Sequence, residues 1–123
     1  MENKKVLIVE DDSVLSLFYR SLLKRMGYQV CAVVANSDLV EEKLRETSPD
    51  FIMMDVKIAG NLDGIDTARK VRETHHLPII FSTGNSELAT MQRAREISNS
   101  EYLIKPIMEA DLRIAFEKFM IGA

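Results

Sequence analysis

Four short apolar runs recur along this chain, and each stops on residues that carry charge or a hydroxyl. Residues 6–9 precede Glu10 and Asp11, residues 51–54 precede Asp55, residues 79–81 precede Ser82, Thr83 and Gly84, and residues 102–104 precede Lys105 and Pro106. Helical stretches separate the runs. Apolar runs of this length without polar alternation mark strands buried on both faces, and their alternation with helices predicts a parallel sheet covered on both sides. In open sheets of this kind the ligand crevice lies outside the carboxyl ends of the strands. The pattern therefore brings three acids, a hydroxyl and an ammonium to one rim.

The remaining punctuation supports five strand-helix units. The first helix follows the acids, with Ser13 available as a cap, Leu15, Phe18, Leu22 and Met26 at spacings of three and four, and Gly27 as the stop. A second strand spans residues 29–34. Ser37 or Asp38 can cap a second helix to about Thr47, and Pro49 ends it before the third strand, residues 51–54. The third helix begins near Asp63 and Gly64 and buries Ile65, Ala68 and Val71. Pro78 precedes a fourth strand over 79–82, after which Ser86 or Glu87 opens a fourth helix with a thin stripe of Leu88, Met91, Ala94 and Ile97. A fifth strand covers 101–104, and a last helix from about Glu109 carries Leu112, Ala115, Phe116 and Phe119 on one side. The expected fold class is α/β: a five-stranded parallel, doubly wound, flavodoxin-like sheet of order 2-1-3-4-5 flanked by five helices. That order sets the topological switch between the strands ending on Glu10-Asp11 and on Asp55.

At 123 residues the chain reads as one domain, 1–123. A formal net charge of −3 supplies no basic footprint, so nucleic-acid binding by this chain alone is not expected. The single Cys31 excludes an internal disulfide and, inside an apolar run, reads as a buried inert thiol. The charged residues 1–5 and the short apolar run behind them make neither a signal peptide nor a membrane span. A cytoplasmic setting is the expectation.

Three carboxylates converging on one rim repel one another, and a bound cation is the physical remedy. Oxygen-only donors select Mg²⁺ or a similarly hard ion, which takes one or two carboxylates and completes its shell with water and phosphate oxygens. A carboxylate so placed can act as a nucleophile toward an activated phosphoryl group. Phosphoryl transfer then depends on positioning and on neutralising the equatorial oxygens. Lys105 and Thr83 match the cation and hydroxyl that this requires, and Gly84 leaves the approach to Asp55 open.

The segments at 6–12, 53–55, 80–84 and 102–106, in order and with ordinary spacing over the whole chain, resemble the receiver domain of two-component response regulators. The resemblance implies that Asp55 accepts a phosphoryl group from a histidine on a sensor histidine kinase or a histidine phosphotransfer protein. It implies that Asp11 holds Mg²⁺ directly and Glu10 through water, with Asp55 and the backbone carbonyl of Lys57 as further ligands. Lys105 would pair with the phosphoryl group, Thr83 would move to hydrogen-bond it, and Tyr102 would be the aromatic switch behind the threonine. Pro106 would form the cis turn that aims Lys105 into the site. Nearly two added charges at Asp55 would be felt by Thr83 and Lys105, so the expected output surface is the fourth helix, fifth strand and fifth helix, read by a downstream target or a fused output domain. The stretch from Asp55 to Gly64 is longer than in many receivers, and Lys57 places a cation where it can alter phosphate lifetime.

Several residues have plainer readings. Asp12 suits a helix start better than a third metal ligand, and His75-His76 suits the cationic end of a helix. A calcium loop over 55–66 fails because Lys57 and Ala59 stand where oxygen side chains are needed. Asn61, Asp63 and Gly64 then read as turn and cap residues, and Arg69, Arg72, Arg93 and Arg95 as solvated helix faces. The leading function is a phosphorylation-activated switch that is catalytic only on itself, whether as a stand-alone regulator, a phosphorelay intermediate or a receiver within a larger regulator or hybrid kinase. An aspartyl-phosphate phosphohydrolase would want an acid at position 57. A receiver-like module that is never phosphorylated would have lost Asp55, Lys105 or the acid pair.

Overall fold

The computed structural model describes residues 4–84 and 87–121. In chain order β1 (Lys5–Val9), α1 (Ser13–Arg25), β2 (Gln29–Val34), α2 (Val40–Thr47), β3 (Phe51–Asp55), α3 (Gly64–Val71), β4 (Ile79–Thr83), α4 (Leu88–Arg95), β5 (Ser100–Ile104) and α5 (Glu109–Ile121) alternate throughout. All strand pairs are parallel, in the expected order β2-β1-β3-β4-β5. Among the described residues no helix is long and apolar enough to cross a membrane.

Side chains alternate across a strand with a period of two, and this splits the core into two layers. Leu7, Val9, Ile52, Met54, Ile79 and Phe81 face one layer, closed by α2, α3 and Ala94 of α4. Val6, Ile8, Phe51, Met53 and Ile80 face the other, closed by α1 and α5. The central β3 and β4 are buried along their whole length, while the edge strands β2 and β5 are mostly half-buried because each has one neighbour. Between β1 and β2 the register slips after Val6, leaving Cys31 between paired neighbours. Cys31 is consequently half-buried rather than buried, with its thiol 3.5 Å from the Val6 carbonyl.

Local details depart from the sequence reading where two candidates compete. Asp12 caps α1 in the helix-start role expected of it, while Ser13, also available as a cap, is the first helical residue; the Asp12 carboxylate accepts from the N–H groups of Val14 and Leu15 at 2.9 and 3.1 Å, where a negative charge also suits the helix dipole. On the same helix Tyr19 takes the core position at 1% exposure, and Phe18 is 46% exposed. Asn36, not Ser37 or Asp38, caps a 3₁₀ turn over Ser37–Leu39, and α2 starts only at Val40. Of the thin fourth stripe, Ala94 and Ile97 are buried and Leu88 is 64% exposed. Glu87 stands at the N-cap of α4, and Ser86 lies outside the described residues.

Three of the four arginines are engaged, not simply solvated. Arg72 donates to the carbonyls of His75, Leu77, Ser98 and Asn99, tying the end of α3 to the loop before β5. Arg93 pairs with Asp63 and Asp66, and Arg69 with Asp66 and Glu96. The links from Arg93 to Asp63, Arg69 to Glu96, and Arg72 to Ser98 and Asn99 span 26 to 30 residues and leave no local signature. Asp63 caps α3 as expected, accepting from the Asp66 N–H at 2.8 Å.

Candidate functional site

The two-layer alternation decides which strand-end residues meet. Glu10 continues the face of Val6 and Ile8, Asp55 continues that of Phe51 and Met53, and Lys105 continues that of Leu103. All three therefore emerge on the α1/α5 side of the sheet, at the carboxyl ends of β1, β3 and β5. Lys105 Nζ lies 3.3 Å from Asp55 Oδ2 and 3.3 Å from Glu10 Oε1. Carboxylate oxygens of Glu10, Asp11 and Asp55 lie within 4.8 Å of one another. Glu10 and Asp55 are buried, Asp11 is exposed, and Lys105 is half-buried, so the cluster opens to solvent on the Asp11 side.

The backbone holds this arrangement from several directions. The Glu10 N–H donates to the Val34 carbonyl at 2.9 Å, the Val56 N–H to Ser82 at 3.0 Å, and the Lys105 N–H to Thr83 at 2.7 Å. The Lys105-Pro106 peptide is cis, as the resemblance implied. Gly64 packs against the end of β3 so closely that a Cβ there would run into the Asp55 carbonyl, and its N–H donates to Val56 at 2.7 Å. The long stretch after Asp55 is pinned to the loop before α2. Ser37 N–H donates to Ala59 at 2.8 Å, Leu62 N–H to Ser37 Oγ at 3.3 Å, and Asn61 to Asp38. Gly60 supplies the positive φ of 120° in this loop, with Ser37 and Asn36 filling the space a side chain would need.

Electrostatics follow from burial and proximity. Burial first, and then a hydrogen bond shared with Asp55, push the Glu10 carboxyl up to about 7, against the opposing pull of the Asp12 N–H and of Lys105. For Lys105, burial works against the charged form, but the charges of Asp55 and Glu10 outweigh it and hold the ammonium above its ordinary range. Lys105 Nζ approaches Glu10 Oε1 at ion-pair distance without hydrogen-bond geometry, and that oxygen has no hydrogen-bond partner. A buried carboxyl that retains a proton near neutrality, beside two more carboxyl groups and an orphaned oxygen, is a place where a hard divalent cation can replace the proton. The donor set fits Mg²⁺.

The other expected site residues lie elsewhere around the rim. Thr83 leaves β4 on the side of Phe81, the α3/α4 face, and shares a side-chain hydrogen bond with Tyr102, which packs against that layer. Burial raises the Tyr102 phenol above its ordinary value, and this hydrogen bond counters it. Lys57 is exposed, while its N–H donates to Asp55 Oδ1 at 3.3 Å. Tyr19, buried on the same side of the sheet and acted on by the charges of Lys105, Glu10, Asp55 and Asp12, is a residue the sequence reading overlooked. Leu15, Tyr19, Leu22 and Met26 fit helical spacing as well as the set containing Phe18, so periodicity alone could not choose between them.

A family model for the response regulator receiver domain matches residues 6–117. The transcriptional regulatory protein PdtaR of Mycobacterium tuberculosis is 31% identical over 114 residues, covering 93% of this chain and 55% of that protein. The phosphate regulon regulatory protein PhoB of Rhizobium meliloti is 32% identical over 111 residues, covering 88% of this chain and 48% of that protein. The chain thus spans about half the length of the curated relatives it matches. Among solved structures, the signal receiver domain of a modulated diguanylate cyclase from Desulfovibrio desulfuricans superposes with a TM-score of 0.87 at 31% identity, covering 99% of this chain and all of that one.

Proposed function

The chain belongs to the response regulator receiver domain family, and from that premise we propose that it is a phosphorylation-activated switch whose acceptor is Asp55. The family is one of signalling domains rather than of enzymes that turn over external substrates. The observation that carries the assignment of residues is Lys105 Nζ, 3.3 Å from both Asp55 and Glu10, with the exposed Asp11 carboxylate alongside. In the proposed reaction an Asp55 oxygen forms a bond to phosphorus as the bond from phosphorus to a donor imidazole nitrogen breaks. The donor is a sensor histidine kinase or a histidine phosphotransfer protein.

Glu10, Asp11, Asp55 and the Lys57 carbonyl would hold Mg²⁺. When bound, that ion supplies positive charge against the three carboxylates and an equatorial phosphoryl oxygen. Lys105 moves from its carboxylate partners to the phosphoryl group, and its N–H bond to the Thr83 carbonyl carries that movement to β4. Thr83, hydrogen-bonded to Tyr102 on the opposite face, exchanges that partner for a phosphoryl oxygen. The surface of α4, β5 and α5 is the proposed output face, read by a target protein or an attached output domain. Residues 1–123 act as one such domain, in the cytoplasm.

The test is incubation with Mg²⁺ and a small phosphodonor, followed by mass measurement. Wild type gains one phosphoryl group and Asp55→Asn gains none. Equal uptake by the variant would put the acceptor elsewhere.

A further inference from the structure

Among the described residues, two buried side-chain N or O atoms lack any hydrogen-bond partner: Oε1 of Glu10 and the hydroxyl of Tyr19. One is an acceptor and the other can donate. Both belong to the same layer, since Tyr19 packs on the α1/α5 side with Val6, Ile8 and Ile107, and Glu10 continues the Val6–Ile8 face while Lys105 stands two residues before Ile107. The charges acting on the Tyr19 phenol, after the effect of burial, are those of Lys105, Glu10, Asp55 and Asp12. A buried hydroxyl without a partner loses its hydration and gains nothing in return, and phenylalanine would fill the same space without that cost. The hydroxyl therefore calls for a partner in some other state of the site.

Resting on the functional reading above, we infer that Tyr19 is a positioning residue whose hydroxyl donates to Glu10, directly or through one water, once Lys105 is drawn away or a cation is bound. In the present arrangement Lys105 is, among the described residues, the positive charge paired with Glu10 Oε1. When a cation held by the other carboxylate oxygens displaces Lys105, or Lys105 turns to a phosphoryl group, Oε1 loses its ammonium neighbour and still has no hydrogen bond. Tyr19 is the buried donor on its own face of the sheet that has no other commitment. Its hydrogen bond would fix the carboxylate with its second oxygen turned toward the ion, while having no effect on the fold before the ion arrives.

The test compares the whole chain with Tyr19→Phe by calorimetric titration with Mg²⁺ alone, by urea unfolding without metal, and by phosphorylation rates across a Mg²⁺ series. The expected result is Mg²⁺ binding weakened roughly tenfold, a metal-free unfolding midpoint equal to or above that of wild type, and an unchanged phosphorylation rate at saturating Mg²⁺. In the Glu10→Gln background the same substitution should change Mg²⁺ affinity by less than about twofold. Wild-type and Tyr19→Phe chains that bind Mg²⁺ equally would overturn this role and leave the functional reading standing. A metal-free midpoint lowered by Tyr19→Phe would also overturn it, because the hydroxyl would then be committed in the resting fold. Wild type that binds no Mg²⁺ while the chain is folded would instead sink the metal-dependent reading itself.

Discussion

Replacing Glu10 with glutamine removes the carboxyl group that burial pushes up to about 7, and with it that group's contribution to the pH dependence of stability. The folded value of about 7 exceeds the ordinary 4.5 of the unfolded chain, so the protonated fold is favoured. The stabilising contribution is complete below pH 4.5 and is lost as pH rises through 7. A displacement of that size corresponds to about 3 kcal/mol between the two limits. With a urea slope of roughly 1.5 kcal/mol/M, the unfolding midpoint of the metal-free wild type should fall by about 2 M between pH 5 and pH 8. The raised ammonium of Lys105 titrates in the alkaline range and adds nothing to this window. Asp63, whose burial is outweighed by hydrogen bonds from Arg93 and the Asp66 N–H, lies below its ordinary 3.8, so its contribution is lost only in stronger acid. Equilibrium urea melts of wild type and Glu10→Gln at pH 5, 6, 7 and 8 with chelator present make the comparison. Wild type should slope downward and Glu10→Gln should stay flat, and saturating Mg²⁺ should remove most of the wild-type slope by replacing the proton. A wild-type midpoint that holds constant or rises from pH 5 to pH 8 would refute the account of a desolvated, proton-sharing carboxyl.

Gly64→Ala should destabilise the domain by roughly 1–3 kcal/mol, because its Cβ meets the Asp55 carbonyl and the adjoining backbone has to shift; thermal unfolding and the phosphodonor rate should both drop. Lys57→Asn should shorten the lifetime of the phosphorylated form without changing the unfolding midpoint, since the residue is exposed and touches the proposed acceptor Asp55 through its backbone N–H, with its side chain outside the core. A decay rate identical to wild type would remove the role given to that lysine.

The sheet order and the meeting of Glu10, Asp55 and Lys105 were legible because they depend on period and topology: where each run stops, and which strands become neighbours. Val9, Met54 and Ile104 close their runs directly before the charged residues, so the rim could be drawn without coordinates. What escaped was settled by phase or by distance. Phe18 and Tyr19 satisfy the same helical spacing, and only the packing of α1 against β1 selects the tyrosine. The pairing of Arg93 with Asp63, and the hold of Arg72 on the carbonyls of Ser98 and Asn99, join segments far apart in sequence and carry no local pattern. Ser37 was legible as a polar residue near a helix start, but its use as a brace for the acceptor loop depends on the Gly60 turn folding back over it.

Glu10, Asp55 and Lys105 come from the first, third and last strands, and the last of these is an edge strand added to the sheet only through β4. No fragment ending before residue 105, and no intermediate with β5 undocked, contains the acid-ammonium cluster. Assembly of the cluster thus waits on the docking of this last edge strand, so under the proposed function a half-made or half-unfolded molecule lacks the ammonium its centre needs.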